Sequence, residues 1–230
     1  KYVEKASSIR ILESGPLVSS LEVSHQLSKT SKITTVISLA AGDDTDVPPM
    51  LKFDCNVDWD ETYKFLKVQF PVTVSQEYAN YETQFGITKR PTHYNTNWDI
   101  AKFECCCHKF IDFSDFNYGV SLLNNNKYGG NVHTNVITLS LLRAPKYPDP
   151  TADIGKHTFS YALMPHAGPL GYKTVRAGWE FNDRLDKACR LPLHSKESIL
   201  SQMSNLVTIE GDKNIILSNV KRGEDDFDVD

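Results

Sequence analysis

Short runs of alternating apolar and polar residues fill the first two thirds of the chain. In one of them, Ile33, Thr35, Ile37 and Leu39 share one face of an extended segment, which is typical of a half-buried β-strand. The same period recurs in the runs at residues 66–72, 137–141 and 159–163. β-Branched and aromatic residues, which suit a pleated surface, dominate these runs. The pattern therefore predicts a mostly β chain.

Turn-forming residues separate the predicted strands. Gly, Asn, Asp and Pro residues, which favour chain reversal, occur at positions 42–44, 48–49, 124–126 and 129–130. Many strands at this spacing favour an antiparallel sandwich. About ten to twelve strands would make it larger than an immunoglobulin domain. We therefore predict a large antiparallel β-sandwich.

The last third of the chain departs from this alternation. Residues 177–188 combine apolar and charged positions and predict one short helix. Two final strands are predicted near residues 206–210 and 214–220, with a hairpin turn at 211–213. Residues 223–230 are acidic and are expected to form a separate end, because like charges repel. The predicted β-domain therefore covers residues 1–222.

Charge and hydropathy exclude two classes of partner. The chain has 230 residues and a net charge of -4, so it lacks the basic excess that nucleic-acid binding usually needs. No run approaches the roughly 18 apolar residues of a membrane span. We expect neither a nucleic-acid partner nor a membrane span.

The cysteines favour a reducing compartment. There are five, of which Cys105, Cys106 and Cys107 are consecutive, and neighbouring strand residues point to opposite faces. Such an arrangement is unsuited to a disulfide framework or to the converging ligands of a zinc site, so we interpret them as small apolar residues. No Asn-x-Ser/Thr glycosylation acceptor is present either. Both features favour a reducing compartment without glycosylation.

The residues alone offer two candidate surfaces. The carboxylates Asp54, Asp58, Asp60 and Glu61 surround Trp59, and paired carboxylates can cleave glycosides, but a solvated turn or strand edge is the favoured interpretation. The second surface lies within residues 118–143. It is rich in amides, cations and an aromatic ring, which suit sugar hydroxyls and a sugar ring face.

Several segments resemble one family of proteins. These segments are residues 11–17, 57–61, 64–72, 90–93, 141–145 and 220–226. Their sequence and order are similar to the C-terminal β-domain of glycoside hydrolase family 38, the class II α-mannosidases, and above all to its cytosolic and vacuolar branch. In that family one further strand normally follows the segment at 220–226, so the resemblance implies that the chain is cut before it.

The resemblance implies a fold and an activity. The family domain is a supersandwich like that of galactose mutarotases. Family members are zinc-dependent retaining exo-α-mannosidases whose zinc ligands and catalytic residues lie upstream of this domain. By resemblance the chain therefore holds no catalytic residue and binds no metal, and it is expected to be inactive alone.

The resemblance also indicates candidate residues at the rim of the sugar pocket. Relatives supply an arginine from this domain, and Arg143 is the best match by position. Lys127, Tyr128, Asp149 and Asn124 are further candidates in neighbouring loops. The family's usual Asn-Asp pair is Asn124-Asn125 here, and Gly130 and the three consecutive cysteines also depart from the usual pattern.

A parent enzyme follows from the same resemblance. It would hydrolyse terminal non-reducing α-D-mannose in α-mannosides and free oligosaccharides, in the cytoplasm or in a vacuole or lysosome. This domain would pack on the upstream catalytic domain, and a homo-oligomer remains open. The alternatives are a freestanding carbohydrate-binding or mutarotase-like module, which would need its own acid–base pair, and an assembly domain.

Overall fold

The structure is a computed structural model that describes residues 2–3, 5–42, 48–182 and 210–216. The chain divides into two compact units, Lys1–Arg184 and Leu185–Asp230. Within these described residues no helix is long and apolar enough to cross a membrane.

The first unit contains thirteen strands and two helices among its described residues. The strands are β1 (Ser8–Ser14), β2 (Val18–Gln26), β3 (Lys32–Ala40), β4 (Leu51–Trp59), β5 (Phe65–Pro71), β6 (Tyr78–Thr83), β7 (Gly86–Pro91), β8 (Cys105–Cys106), β9 (Phe110–Ser114), β10 (Tyr118–Asn124), β11 (Gly129–His133), β12 (Val136–Arg143) and β13 (Gly155–Ala167). The helices are α1 (Asn97–Ala101) and α2 (Tyr172–Asn182).

The strands form two antiparallel sheets. The large sheet has the order β1-β2-β3-β4-β13-β10-β9-β6-β7, and the small sheet has the order β5-β12-β11-β8. Inward-facing side chains of both sheets form one apolar cluster, which includes Trp59, Ile111, Leu122, Ile137 and Leu139. The predicted antiparallel β-sandwich is confirmed, and the four alternating runs lie within β3, β5, β12 and β13, apart from Val72 just beyond the end of β5.

One predicted turn is wrong. Gly129 and Gly130 begin strand β11 instead of reversing the chain. A Cβ atom at Gly130 would lie 2.3 Å from Ile111 Cδ1 and 3.0 Å from the Thr138 carbonyl oxygen. Glycine is therefore required here by close packing inside the sandwich, a role that a turn signal does not distinguish.

The predicted helix is present but begins earlier. Helix α2 starts at Tyr172, five residues before the expected start, and residues 183–188 lie outside the described part. Its buried residues Thr174, Ala177, Gly178 and Phe181 follow a helical spacing. They pack with Phe110, Leu123, Ala162 and Met164 on the other face of the large sheet. Gly171 and Gly178 weaken the helical signal, because glycine disfavours helix.

Helix α1 was not predicted. Thr96 caps it through a reciprocal pair of hydrogen bonds with Asp99, in which Asp99 N donates to Thr96 Oγ1 at 3.2 Å and Thr96 N to Asp99 Oδ2 at 3.0 Å. This capping box stabilises a helix too short to show apolar periodicity.

The second unit is described only at residues 210–216. Lys213 and Asn214 form a turn, in which Ile215 N donates to the Asp212 carbonyl oxygen at 3.2 Å. The described residues 214–216 are not a strand, contrary to the prediction. The rest of the predicted hairpin and the acidic end at 223–230 lie outside the described residues, so the domain boundary at 222 stays a prediction.

A buried polar network lies between the large sheet and α2. The Asp112 carboxylate accepts from Ser121 Oγ at 2.7 Å and Ser114 Oγ at 2.6 Å. His166 Nε2 lies 2.7 Å from the same carboxylate, and Thr174 of α2 contacts Ser121 at 3.0 Å. Burial alone would lower the pKa of His166, but the hydrogen bond and charge of Asp112 outweigh it, so the pKa is raised. The network thus links the helix to three strands.

The raised pKa of His166 gives a pH-dependent stability. A histidine whose folded pKa exceeds the unfolded value of about 6.5 stabilises the fold below that pH. We expect this contribution to be lost as pH rises through the folded pKa, at no more than about 1.4 kcal/mol per pH unit. Urea unfolding from pH 5.5 to 8.5 measures it, and His166→Gln should remove the slope. Thr174→Val is the control that should lower stability equally at all pH values. An unchanged slope in His166→Gln would contradict the assignment.

Gly130→Ala should destabilise the sandwich. The added methyl group meets Ile111 and the Thr138 backbone at distances that require movement, and overpacking costs about 1–3 kcal/mol. Gly86→Ala is the matched control in a strand, because the nearest atom to its Cβ would be 3.9 Å away. Thermal melting of both variants tests this, and equal melting temperatures would show that Gly130 is not sterically required.

Candidate functional site

Arg143 lies at the end of β12, where its backbone is held from two sides. Its N–H donates to Asp153 Oδ2 at 2.9 Å, and its carbonyl oxygen accepts from Trp59 Nε1 at 3.1 Å. Trp59 belongs to the large sheet and is buried. Two elements distant in sequence therefore fix the position of this residue on the small sheet.

The Arg143 side chain is left exposed and available. Its Cζ atom lies 5.5 Å from the centroid of the Phe65 ring, which pairs with it across β5 and β12. Among the described carboxylates, none lies within ion-pair distance of the guanidinium. A guanidinium held over an aromatic ring presents several donors in a fixed plane. It can fork onto a carboxylate or a pair of hydroxyl groups.

A cavity of about 510 Å³ opens beside Arg143, and we call it the Arg143 cavity. Its walls include Phe65, Phe103, Lys127, Tyr128 and Asp153. Three of the predicted residues, Arg143, Lys127 and Tyr128, therefore meet at one place. The combination of aromatic faces, two cations and a carboxylate is suited to a polar ligand with a ring, such as a sugar.

Lys127 is the second cation of the cavity. Its Nζ lies 4.5 Å from the centroid of the Phe159 ring and is half-buried. Burial lowers the pKa of this amine, and the Asp153 carboxylate partly opposes the shift. Tyr128, which follows it, exposes 58% of its surface. The loop therefore offers a cation near the cavity wall and an aromatic face near the opening.

Asn124 does not line the cavity but bonds to the loop that carries Lys127 and Tyr128. It is 1% exposed, its Nδ2 donates to the His108 carbonyl oxygen at 2.7 Å, and its Oδ1 accepts from Lys127 N at 2.8 Å. The following Asn125 has a different role, because its Oδ1 accepts from Ser160 N at 3.0 Å. Both amides hold the loop that carries Lys127 and Tyr128.

Asp149 lies outside the walls of the cavity. It is exposed, and its Oδ1 accepts from Thr151 N and Thr151 Oγ1, both at 2.8 Å. These bonds lower the pKa of Asp149, the backbone bond most. Asp153, four residues later, is the carboxylate that reaches the cavity. The spacing of turn residues in this loop does not show which carboxylate lines the cavity.

The sequence interpretation also missed other residues of the cavity, among them Phe65, Phe103 and Glu104. Glu104 forms an ion pair with Lys67 and accepts a hydrogen bond from Ser140 Oγ. Phe65 directly precedes the alternating run at 66–72 and falls on the polar face of that run. The pattern could therefore have indicated an exposed aromatic ring at this position. Phe103 and Glu104 lie in an irregular segment, where sequence periodicity carries no information.

The carboxylates near the cavity are already used within the fold. Glu104 is held by Lys67 and Ser140, and Asp153 accepts from the Arg143 backbone. A hydrolytic pair needs one carboxyl group free to donate a proton and another free to attack or to activate water. The geometry therefore favours binding over bond cleavage.

The carboxylates near Trp59 do not form a site around its ring. Trp59 faces the interior, whereas Asp54 and Asp58 alternate with it and face the other side of β4. Glu61 is buried and forms an ion pair with Lys64 at 2.5 Å. The interpretation of this segment as a solvated turn or strand edge is therefore wrong in two respects, because β4 lies between β3 and β13 inside the large sheet and Glu61 is buried.

The described cysteines and histidines do not form a metal centre. Cys55, Cys105, Cys106 and Cys107 are free thiols, with Cys107 buried and Cys106 exposed. Burial raises the pKa of the Cys107 thiol. Among the described residues no group of three or more His, Cys, Asp or Glu side chains could hold a metal ion. Cys189 lies outside the described residues.

Comparison with known proteins gives a consistent result. Residues 1–151 match the family described as glycosyl hydrolases family 38 C-terminal domain. The chain is 48% identical to an α-mannosidase of Saccharomyces cerevisiae over its full length, which is 21% of that protein. It is 50% identical to α-mannosidase 2C1 of Mus musculus over 62% of the chain and 13% of the relative.

A solved structure has the same fold. An α-mannosidase from Enterococcus faecalis superposes with a TM-score of 0.66 over 76% of this chain and 24% of its own, at 18% sequence identity. At that identity the likeness supports the architecture and not the chemistry.

The two neighbouring asparagines should respond differently to aspartate. Asn124→Asp replaces a buried donor to the His108 carbonyl oxygen with a carboxylate, which leaves two acceptors facing each other. We expect a loss of about 2–3 kcal/mol in unfolding free energy. Asn125→Asp keeps the acceptor that Ser160 N uses, so it should cost less than about 0.5 kcal/mol. Urea unfolding of both variants measures the difference. Equal losses would show that Asn124 does not anchor the loop.

Proposed function

Because the chain belongs to glycosyl hydrolase family 38, we propose that it is the C-terminal β-sandwich domain of an α-mannosidase. That enzyme removes terminal non-reducing α-D-mannose from α-mannosides and free oligosaccharides. The chain spans about a fifth of the yeast relative, so the rest of the polypeptide supplies the catalytic domain on which this domain packs. The relatives named as α-mannosidases support this assignment.

The single observation that carries the role of this domain is the free guanidinium of Arg143 at the rim of a cavity. Its backbone is anchored and its charge is unpaired among the described residues, so the side chain can be committed to a ligand. Donors fixed in advance lose little freedom on binding, which favours affinity. In this role Arg143 and Lys127 bind sugar hydroxyl groups, and Tyr128 covers a ring face.

The catalytic groups belong to the remainder of the parent enzyme. We place its zinc ion, its nucleophile and its general acid upstream, as membership of the family implies, and the described part of this chain has no group of side chains that fits a zinc site. A retaining mechanism requires two carboxylates at the scissile bond, and the carboxylates of the Arg143 cavity already have partners. The proposed compartment is the cytoplasm or a vacuole or lysosome.

Arg143→Ala in the parent enzyme should impair catalysis more than stability. Loss of a charged hydrogen bond to substrate, or to a carboxylate of the sugar pocket, costs about 1.5–3 kcal/mol, so kcat/KM should fall roughly ten- to two-hundredfold. The side chain is exposed and leaves no cavity in the core, so the melting temperature should change little. Both quantities are measured on one preparation with an aryl α-mannoside.

Two controls make this experiment specific. Arg10→Ala removes an exposed arginine on edge strand β1 of the large sheet, where it pairs with Glu22 of the neighbouring β2, and activity should stay within about twofold, as for most surface changes. Arg143→Lys keeps the charge but loses the forked geometry, so it should recover part of the activity. If Arg143→Ala also stays within twofold, Arg143 is a surface residue without a role in the pocket.

A further inference from the structure

A second cavity lies beside the Arg143 cavity, and we call it the Gln69 cavity. Its volume is about 370 Å³, and its walls include Gln69, Thr138, Tyr94 and Phe103. Phe103 lines both cavities. The ion pair of Lys67 and Glu104 stands on their common border, because Lys67 lines the Gln69 cavity and Glu104 lines the Arg143 cavity.

The strand register explains why the two cavities are neighbours. Ser140 and Thr138 alternate along β12 and share its outer face, while Leu139 between them faces the core. Ser140 lines the Arg143 cavity and Thr138 lines the Gln69 cavity. Two strand residues span about 7 Å, so the cavities follow one another along the sheet at a spacing close to the size of a sugar ring.

The Gln69 cavity has two aromatic residues in its walls, and contacts hold the ring of one and the backbone of the other. Tyr94 stacks on His133 with ring centroids 4.0 Å apart. Asn131 Nδ2 donates to Tyr94 Oη at 3.1 Å and to the Phe103 carbonyl oxygen at 2.7 Å. Tyr94 and Phe103 still expose 37% and 59% of their surfaces. The Tyr94 ring is therefore held by His133 and Asn131, the Phe103 backbone is fixed by the same amide, and both aromatic side chains remain partly exposed to a ligand.

The polar groups of the Gln69 cavity complement those faces. Gln69 and Thr138 lie opposite each other in the register of β5 and β12. The Gln69 side-chain amide and the Thr138 hydroxyl make no hydrogen bond to another residue in the described part of the chain. An amide and a hydroxyl can each donate and accept. Uncharged groups of this kind beside aromatic faces suit a neutral, hydroxyl-rich ring better than an anion or an apolar ligand.

We propose that the Gln69 cavity binds the sugar that follows the terminal mannose in an oligosaccharide substrate. The inference rests on the proposed function, because it assigns the terminal mannose to the Arg143 cavity. One chain of sugars then passes over the outer face of the small sheet, across Phe103 and the border formed by Lys67 and Glu104. This arrangement selects oligosaccharides over simple mannosides.

The test compares two substrates in the full-length parent enzyme. Gln69→Ala/Thr138→Val removes two polar groups of the cavity that have no hydrogen-bond partner among the described residues, and it keeps the aromatic walls. We expect kcat/KM for a linear α-linked mannotriose to fall about tenfold, as for the loss of two hydrogen bonds. The value for a small aryl α-mannoside should stay within twofold. The matched control Gln84→Ala/Thr88→Val, on the hairpin of β6 and β7, should leave both substrates unchanged.

Each outcome decides the question. A loss confined to the trisaccharide supports the cavity as a sugar site. Equal losses on both substrates, or no loss on either, overturn it. If the parent cleaves neither substrate, the proposed function fails, and calorimetric titration of the parent with mannotriose then tests the site alone. A tenfold weaker Kd in the double variant supports the site, whereas an unchanged Kd or no binding by the parent overturns it.

Discussion

The candidate site depends on a hydrogen bond between the two sheets. Trp59 Nε1, at the end of β4 in the large sheet, donates to the carbonyl oxygen of Arg143, at the end of β12 in the small sheet. The Asp153 carboxylate accepts a hydrogen bond from the backbone N–H of the same residue. With both backbone groups satisfied inside the fold, the guanidinium is oriented by the scaffold and stays free for a ligand. The register of β12 and β5 then places Phe65 beside it.

Two neighbouring glycines at the start of β11 shape both faces of the small sheet. A Cβ atom at Gly129 would lie 3.2 Å from Glu104 Oε2, and one at Gly130 would meet Ile111 on the inner face. The first glycine leaves room for the ion pair of Glu104 and Lys67 on the outer face. The second lets the two sheets approach closely. Alternation along a strand thus explains how neighbouring glycines serve opposite faces.

Sequence alone predicted the parts of the fold whose signal is local. Period-two alternation identified β3, β5, β12 and β13, because each has one face in the core. Turn signals were less reliable, since Gly130 is required by packing and not by chain reversal. The predicted start of α2 was five residues too late, because the helix is held on the sheet by tertiary contacts such as that of Thr174 with Ser121. Such contacts override weak propensities.

The same distinction applies to the candidate site. Arg143, Lys127 and Tyr128 line one cavity, and their place at the rim of a sugar pocket stays a prediction, whereas Asn124 and Asp149 are used in local hydrogen bonds of the loops. Which member of a polar loop points into a cavity depends on partners far along the chain, as with Asp153 and the Arg143 backbone. The carboxylates near the cavity hold the scaffold, and the cations and aromatic rings are left to meet a ligand. This division supports the proposal that the domain binds and positions a ligand and that the reaction centre lies elsewhere in the polypeptide.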